Sequence, residues 1–304
     1  MLRRQDPACM VSQRDDRMST APIQIVADLH THTTCSDGLL SPMELVVKAE
    51  QRGFQALAIT DHDNLDAYRL LRKQGYNGPV KVISAVEISC YDFGREVHIL
   101  AYNVDVDDPS VQQYESFYRG DRARRAEEMV ENLHRARAPI SIQEVVDEAA
   151  GAPIGRPHVA SVLVRRGFVS SIQAAFDVYL DQGKPGYAAK TPFPIAKAVE
   201  MIHQAGGVLS VAHPGRYFTD PTLFLPLLDT GIDGIEVYHP SHWHVTREFY
   251  RVLCQQHGLL ITGGSDFHGS REYDEANFGV FGVTPQALEQ FESKISRQSS
   301  GRAN

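Results

Sequence analysis

Short apolar runs recur along the chain, and each hands over to polar residues at its end: Ile23 to Leu29, Ala56 to Thr60, Val80 to Val86, Val208 to Ala212, Gly234 to Tyr238 and Leu259 to Thr262. Their length and composition predict strands. Between them the pattern shifts to the helical period. Ser41-Pro42-Met43-Glu44 reads as a capping box with proline in the first turn; it opens the amphipathic stretch Leu45 to Arg52, which Gly53 ends. Leu65 to Gln74, Pro194 to Gln204 and His244 to His257 predict further helices. The alternation points to an α/β protein, either a barrel or an open doubly wound sheet.

Residues 105–191 break that rhythm, with no convincing buried strand. Tyr114 to Ala136 has helical periodicity, and Val145 to Ala150, Val159 to Arg166 and Ile172 to Leu180 predict short helices. The stretch is expected to be a helical insertion over one side of a barrel mouth, closing the site and selecting the substrate. The barrel itself would be built from residues 23–104 and 192–290. A polar, aperiodic leader over residues 1–22, disordered or preceding a native start at Met18, and a tail over residues 291–304 are expected to carry no chemistry.

Composition narrows the class. A chain of 304 residues with 42% hydrophobic content can bury one large core or a barrel plus a small domain. No run of eighteen apolar residues predicts a membrane-spanning helix, and the leader has no apolar segment of secretory type. Cys9, Cys35, Cys90 and Cys254 show no paired spacing, so a reducing compartment, the cytoplasm, is expected. Thirty Lys and Arg against 38 Asp and Glu leave a net charge of −8. That balance argues against extended duplex binding and favours a small phosphorylated ligand or the end of a short oligonucleotide.

The chemistry gathers at the ends of the predicted strands. His30-Thr31-His32 with Asp37, Thr60-Asp61-His62-Asp63, Glu87, His213 and Ser265-Asp266-Phe267-His268 each follow an apolar run. Imidazoles and carboxylates together suit borderline divalent ions. In a closed parallel barrel the strand ends converge on one face, so the number of candidate ligands favours the barrel and metal-assisted hydrolysis. His239 follows another apolar run and is a candidate donor to a phosphate or leaving oxygen, whereas His242 and His244 are expected at the surface. Gly155-Arg156-Pro157-His158 reads either as a stiff turn presenting the Arg156 fork and the His158 imidazole to a phosphate, or as a helix entry. Arg216, just after His213, is a similar candidate. Arg119, Arg122, Arg124, Arg125, Arg135 and Arg137 interleave with Asp121, Glu127, Glu128 and Glu131, which reads as a solvated helix face rather than a nucleic-acid stripe. Cys35 is expected to fill a loop rather than to bind metal.

With these motifs the chain resembles the polymerase and histidinol phosphatase (PHP) family, over residues 23 to about 285. The segments that carry the resemblance are His30-Thr-His32 with Asp37, Thr60-Asp-His62, Ala212-His213-Pro214 and Ser265-Asp266-Phe-His268. The resemblance implies a distorted seven-stranded barrel of the PHP type with up to three divalent ions. His30, His32, Glu87 and Asp266 would hold the first. Glu87 would bridge to a second, held with His98 and His213, and Asp37, His62 and His268 would hold the third. Manganese is the expected metal, with zinc and iron open. Val86-Glu-Ile-Ser89, Glu96 to Tyr102, Gly155-Arg-Pro-His158, Gly183 to Tyr187 and Gly234 to His239 resemble the subgroup containing 3′,5′-nucleoside bisphosphate phosphatases and 5′-3′ exoribonucleases.

The resemblance implies hydrolysis of a ribose 3′ phosphoester, with a small phosphorylated nucleotide (a nucleoside 3′,5′-bisphosphate) or the 5′ end of a short single-stranded RNA as the partner. Asp266 would accept the water proton, His239 would protonate the leaving oxygen, and Arg156, His158, Arg216 and His239 would bind substrate. Two alternatives remain: a metabolite phosphatase of histidinol phosphate type, and a degenerate metal-binding domain with a regulatory or scaffold role.

Overall fold

The computed structural model describes residues 24–218 and 220–300. Seven strands hydrogen-bond in chain order: β1 (Ala27–Thr31), β2 (Ala56–Ile59), β3 (Lys81–Asp92), β4 (Arg95–Tyr102), β5 (Val208–Val211), β6 (Gly234–Tyr238) and β7 (Leu260–Gly263). The residues after β7 return to β1: the Asp266 N–H donates to the His30 carbonyl at 2.9 Å, and the His32 N–H to the Phe267 carbonyl at 2.8 Å. The sheet therefore closes into a nearly complete barrel. Gly264 permits that closure, because a Cβ there would lie 2.4 Å from the His30 Cβ.

The helices are α1 (Pro42–Gln51), α2 (Asp66–Lys73), α3 (Pro109–Arg135), α4 (Ile142–Ala149), α5 (Arg156–Arg165), α6 (Ile172–Ala175), α7 (Ile195–Gln204), α8 (His244–His257), α9 (Asp274–Asn277) and α10 (Pro285–Ser300). The Ser41–Glu44 capping box at α1 forms as its sequence predicts. No helix among the described residues is long and apolar enough to cross a membrane.

A wholly parallel barrel is not what forms. β4 pairs antiparallel with both β3 and β5, and the other neighbours are parallel. Phe93 and Gly94, at φ 51° and 73°, make the two-residue reversal that turns β3 and β4 into a hairpin. β3 follows β2 only to Ser84 and then continues as the hairpin arm, so Glu87 lies within a strand rather than at its end.

Period-two alternation then sorts the side chains. Val86, Ile88, Cys90, Ile99, Leu209, Val211, Ile235 and Val237 face outward, into a core shared with Ile195, Ile202, Tyr250 and Leu253 of the surrounding helices. On the opposite parity Ile83, Ala85, Leu100, Tyr102 and Ala212 pack with Leu288, Phe291 and Ile295 of α10. Glu87, His98 and Glu236 share that second parity, above this apolar layer. The tail expected over residues 291–304 is corrected accordingly: through Ser300 it is the second half of α10, whose Phe291 and Ile295 are buried at helical spacing. The expected leader, residues 1–22, lies outside the described residues.

The segment between β4 and α7 carries α3 to α6 and a π-helical turn, Phe176–Leu180, packed round its own cluster of Ala126, Met129, Leu133, Val145, Val159, Val162, Leu163 and Leu180. α3 serves both bodies, since Val111, Tyr114 and Tyr118 in its first half belong to the barrel's outer core.

Candidate metal centre

The C-terminal rim of the barrel carries six imidazoles and three carboxylates within contact of one another. Glu87 stands in the middle. Its Oε2 lies 3.3 Å from His30 Nε2, 3.2 Å from His32 Nε2 and 3.3 Å from His62 Nδ1, and its Oε1 lies 2.7 Å from His98 Nδ1 and 3.1 Å from His213 Nε2. Asp266 Oδ1 stands 3.5 Å from His30 Nε2 and 3.3 Å from His32 Nε2. For a tetrahedral ion bonded at about 2.0–2.2 Å, donor atoms must be about 3.3–3.6 Å apart. His30, His32, Glu87 and Asp266 thus outline one ion-sized space, and Glu87 offers its other oxygen toward His98 and His213.

Asp37 gathers a further group, with Oδ1 3.4 Å from His268 Nε2 and 3.8 Å from His32 Nδ1, and Oδ2 3.9 Å from His62 Nε2. His62 therefore turns one ring nitrogen to each side. Ligand atoms of His32, Asp37, His62 and His268, of His30, His32 and Glu87, and of His62, Glu87 and His98 lie close enough in each group to hold an ion. Both ring nitrogens of His32, together with His62 Nδ1 and His213 Nδ1, are buried without a hydrogen-bond partner among the described residues. Unpaired imidazole nitrogen facing carboxylate oxygen is what a divalent cation satisfies.

The electrostatics fit the same reading. Burial opposes charge on His32 and His98, yet the carboxylates outweigh it: the Asp266 and Glu87 oxygens facing the ring push His32 up to about 9, and Glu87 with Glu96 pushes His98 to about 9. Burial instead dominates at His62, lowered to about 3, and holds His213 well below the ordinary imidazole range. Burial would raise the Glu87, Asp37 and Asp266 carboxyls, but the surrounding imidazoles, joined at Asp266 by Arg271, hold them well below their usual values. A bound cation would take over the role of the ring protons.

Carboxylates that do not face the cluster hold its loops. Asp61 accepts from the Thr33 N–H, the Thr33 hydroxyl and the Ser36 hydroxyl, fixing the turn that delivers Asp37. Asp28 accepts from the Ser265 hydroxyl and the Ser265 and His30 N–H groups, tying β1 to the Asp266 loop. Glu236, fully buried, receives the His213 N–H at 2.7 Å and faces His30 Nδ1 at 2.9 Å. Burial would raise its carboxyl, but His30 and His239 bring it down to about 2. His213 and Asp266 sit at φ 27° and 53°, a backbone region that non-glycine residues occupy at a cost of order 1–3 kcal/mol each and that clusters at functional sites.

The candidate phosphate-binding residues divide between two sides. Arg216 reaches Asp266 Oδ2 at 3.2 Å, and His239 Nε2 stands 3.6 Å from the same oxygen. The Ser241 N–H donates to His239 Nδ1 at 3.0 Å and the Ser241 hydroxyl lies 2.7 Å from the same nitrogen, which turns Nε2 toward Asp266. Across the rim a cavity of about 130 Å³ runs from Asp37, His62 and His98 to Arg156 and His158. Gly155-Arg156-Pro157-His158 is not a free turn: Gly155 caps α5 and its N–H donates to His158 Nδ1 at 3.0 Å, so the helix entry and the cavity wall are one piece of chain.

Two expectations fail here, and one residue was missed. His242, expected at the surface, is 2% exposed, with Nδ1 bonded to the Val237 carbonyl and Nε2 accepting the Gly215 N–H, because it props the loop that bears His213 and Arg216. Arg122 and Arg125 do not belong to a solvated face: at i and i+3 they lie on the side of α3 turned inward, and Arg125 is 8% exposed. Arg271, on which the motifs were silent, donates to Asp266 Oδ2 at 3.0 Å. Cys35 lies in the core beside α1, its thiol pushed up to about 12 by burial, which favours the neutral filler over a thiolate ligand.

Comparison with known proteins accords with this geometry. Residues 28–178 match the PHP domain model. The chain is 34% identical, over 83% of its length and 88% of the relative's, to the 5′-3′ exoribonuclease Rnm of Escherichia coli. It is 33% identical to a 3′,5′-nucleoside bisphosphate phosphatase of Chromobacterium violaceum, over 81% of this chain and 88% of that one. A solved structure from Bifidobacterium adolescentis, described as a metal-dependent phosphoesterase, superposes with a TM-score of 0.76 at 29% identity, covering 87% of this chain and 94% of the other.

Proposed function

This chain belongs to the PHP family and is a phosphoric ester hydrolase, and from that premise we propose that it hydrolyses the 3′-phosphate of nucleoside 3′,5′-bisphosphates, or releases a 5′-mononucleotide from short 5′-phosphorylated RNA. Both reactions break the bond between phosphorus and a ribose 3′-oxygen, while a 5′-phosphate serves as the handle. The observation that carries this reading is the arginine-lined cavity adjoining the cluster, since a simple monophosphatase has no second phosphate to house. A phosphatase of histidinol phosphate type does not account for it. A regulatory domain without activity does not account for a complete ligand set.

In this reading His30, His32, Glu87 and Asp266 hold one divalent ion, Glu87, His98 and His213 a second, and Asp37, His62 and His268 a third, with manganese as the proposed metal. Such ions, when bound, neutralise phosphoryl oxygens and acidify a water. The chain's own groups supply the rest. Asp266 accepts the water proton, and Arg216 and Arg271, both on its Oδ2, keep that oxygen oriented. His239, fully buried with Nε2 on the Asp266 side, serves as the proton donor to the departing 3′-oxygen. Arg156 and His158 receive the 5′-phosphate.

The test is a steady-state panel with manganese present, comparing adenosine 3′,5′-bisphosphate, a 5′-phosphorylated oligoribonucleotide and histidinol phosphate. At least one of the first two is expected to exceed the last in kcat/KM by more than about tenfold, roughly the worth of one charge-assisted phosphate contact. Preference for histidinol phosphate refutes the proposal.

A further inference from the structure

The turn from β6 into α8 leaves an aromatic ring in water at the mouth of the site. Trp243, the one tryptophan of the chain, is 83% exposed, and Val245 two residues on is 79% exposed. The turn itself is fixed. His239, four residues before Trp243, is fully buried and faces Asp266, and its ring lies 5.5 Å from that of His242. His242 accepts the Gly215 N–H on Nε2, so the loop that bears Arg216 rests on the residue just before Trp243. Arg216, itself exposed, and the Trp243 indole therefore stand on the same stretch of rim. One helical turn on, Arg247 donates its backbone N–H to the Trp243 carbonyl at 3.0 Å and lays its guanidinium over the Phe281 ring, 5.0 Å from the centroid. Arg247 has no carboxylate within 4 Å among the described residues, and its Nε is buried without a hydrogen-bond partner there. Glu248, the acid next to it in the chain, is engaged by Arg251 at 2.6 Å. A firmly mounted, solvent-facing ring beside a cation that the protein leaves unpaired is the combination by which proteins hold single-stranded nucleic acid.

We infer that Trp243 stacks on the base of the nucleotide that follows the cut and that Arg247 takes the next backbone phosphate, which makes this turn a subsite for RNA that a mononucleotide does not use. The inference rests on the reading of the chain as a ribose 3′ phosphoesterase given above. In the RNA reaction the water oxygen bonds to phosphorus as the bond to the first nucleotide's 3′-oxygen breaks. The departing oxygen takes a proton, and the phosphoryl group stays on the 5′-oxygen of the second nucleotide. The first nucleotide spans the way from the cluster to its 5′-phosphate at Arg156 and His158, so the rest of the strand leaves over the part of the rim across the cluster from that cavity. Arg216 and Trp243 stand there. A nucleoside 3′,5′-bisphosphate ends at the phosphate that is cut and does not reach the ring. Stacking tolerates any base, because every base offers a π face, and that suits an enzyme that removes nucleotides one after another.

Trp243→Ala tests the subsite, and because the side chain lies in water the fold is expected to survive the change. The readout is kcat/KM in the manganese-loaded enzyme for a 5′-phosphorylated tetra-adenylate and for adenosine 3′,5′-bisphosphate. The RNA value is expected to fall by about 5- to 100-fold, mainly through KM, as the loss of one stacked base implies, while the bisphosphate value stays within about twofold. Trp243→Phe, which keeps a smaller ring, is expected to recover part of the loss. Arg247→Gln is expected to lower the RNA value alone and to flatten its decline with added salt. Trp243 is the only tryptophan, so its fluorescence reports the contact directly. On rapid mixing with the RNA, wild-type emission is expected to fall and then recover as the strand is consumed, and to stay level with the bisphosphate. An RNA value within about twofold of wild type in Trp243→Ala, or an equal loss on both substrates, overturns the inference. A wild-type enzyme that hydrolyses the bisphosphate but no RNA also overturns it and leaves the phosphatase reading in place, whereas failure on both substrates rejects that reading itself.

Discussion

Replacing Glu236 by glutamine tests whether a buried carboxylate that faces no open space governs the metal centre. Glu236 uses its two oxygens for two donors, the His213 N–H at 2.7 Å and His30 Nδ1 at 2.9 Å. Glutamine has one oxygen. If that oxygen keeps the His213 N–H, the amide NH₂ faces His30 Nδ1 and requires it to accept. The ring proton must then move to Nε2, the nitrogen that stands 3.3 Å from Glu87 and 3.5 Å from Asp266 and that must be free to take an ion. If the oxygen turns to His30 instead, two donors collide at His213, whose backbone is already at φ 27°. Either arrangement forfeits one hydrogen bond to a charged group, about 1.5–3 kcal/mol, which corresponds to about 10- to 100-fold in metal affinity. The assay is competition for manganese against a chelating dye near neutral pH, with circular dichroism to verify the fold. Affinity within twofold of wild type in a folded Glu236→Gln protein would refute the argument.

Glu87→Gln is expected to lower bound metal by elemental analysis and to remove most activity; undiminished metal with near-native turnover is the contrary result. Asp63 pairs with Arg122 at 2.5 Å and Lys190 at 3.3 Å; Asp63→Asn leaves both cations buried without that anion, and a loss of about 3–5 kcal/mol in chemical denaturation is expected, so a loss under about 1 kcal/mol counts against the pairing. Burial lowers His242 to about 4, from an unfolded value of about 6.5, so below pH 6.5 the unfolded chain takes up a proton that the folded protein refuses. Stability is therefore complete above that pH and declines as pH falls toward 4, and the wild-type advantage over His242→Gln should narrow by about 3 kcal/mol across the window. A constant gap between the two proteins, measured by urea unfolding at both ends, contradicts the assignment.

The chain's local patterns carried much of the fold. α1, α2, α7 and α8 form within a residue or so of their predicted spans, because capping residues, terminal glycines and a 3.6-residue apolar period are properties of neighbours in sequence. The apolar runs became β1, β2, β5, β6 and β7 for the same reason. β4 escaped because Arg95 to Tyr102 is a strand by virtue of its partners: its hairpin with β3 and its reversed pairing with β5 are contacts made at a distance. Reversal is also what brings His98, near the start of β4, to the rim that the other strands reach at their ends.

The histidines and acids of the rim were legible as letters, since the His-x-His, Asp-His and Asp-x-His spacings each follow a strand. Their burial was not. Asp61, Asp28 and Glu236 resemble any other acid in sequence, and only the closed barrel determines that they hold loops or orient a ring. The arginines of α3 mark the same boundary: charge interleaving is common to solvated and inward faces, so composition could not separate Arg124, which pairs with Asp121 and Glu128, from Arg125 one residue on. By itself the sequence determined the elements, the metal-ligating residue types and the family they resemble, because those depend on local propensity and donor chemistry. The tertiary structure alone decided which acids face the cluster, which cations face the cavity and which way β4 runs, because burial and the sign of the local field are sums over residues that lie far apart in the chain.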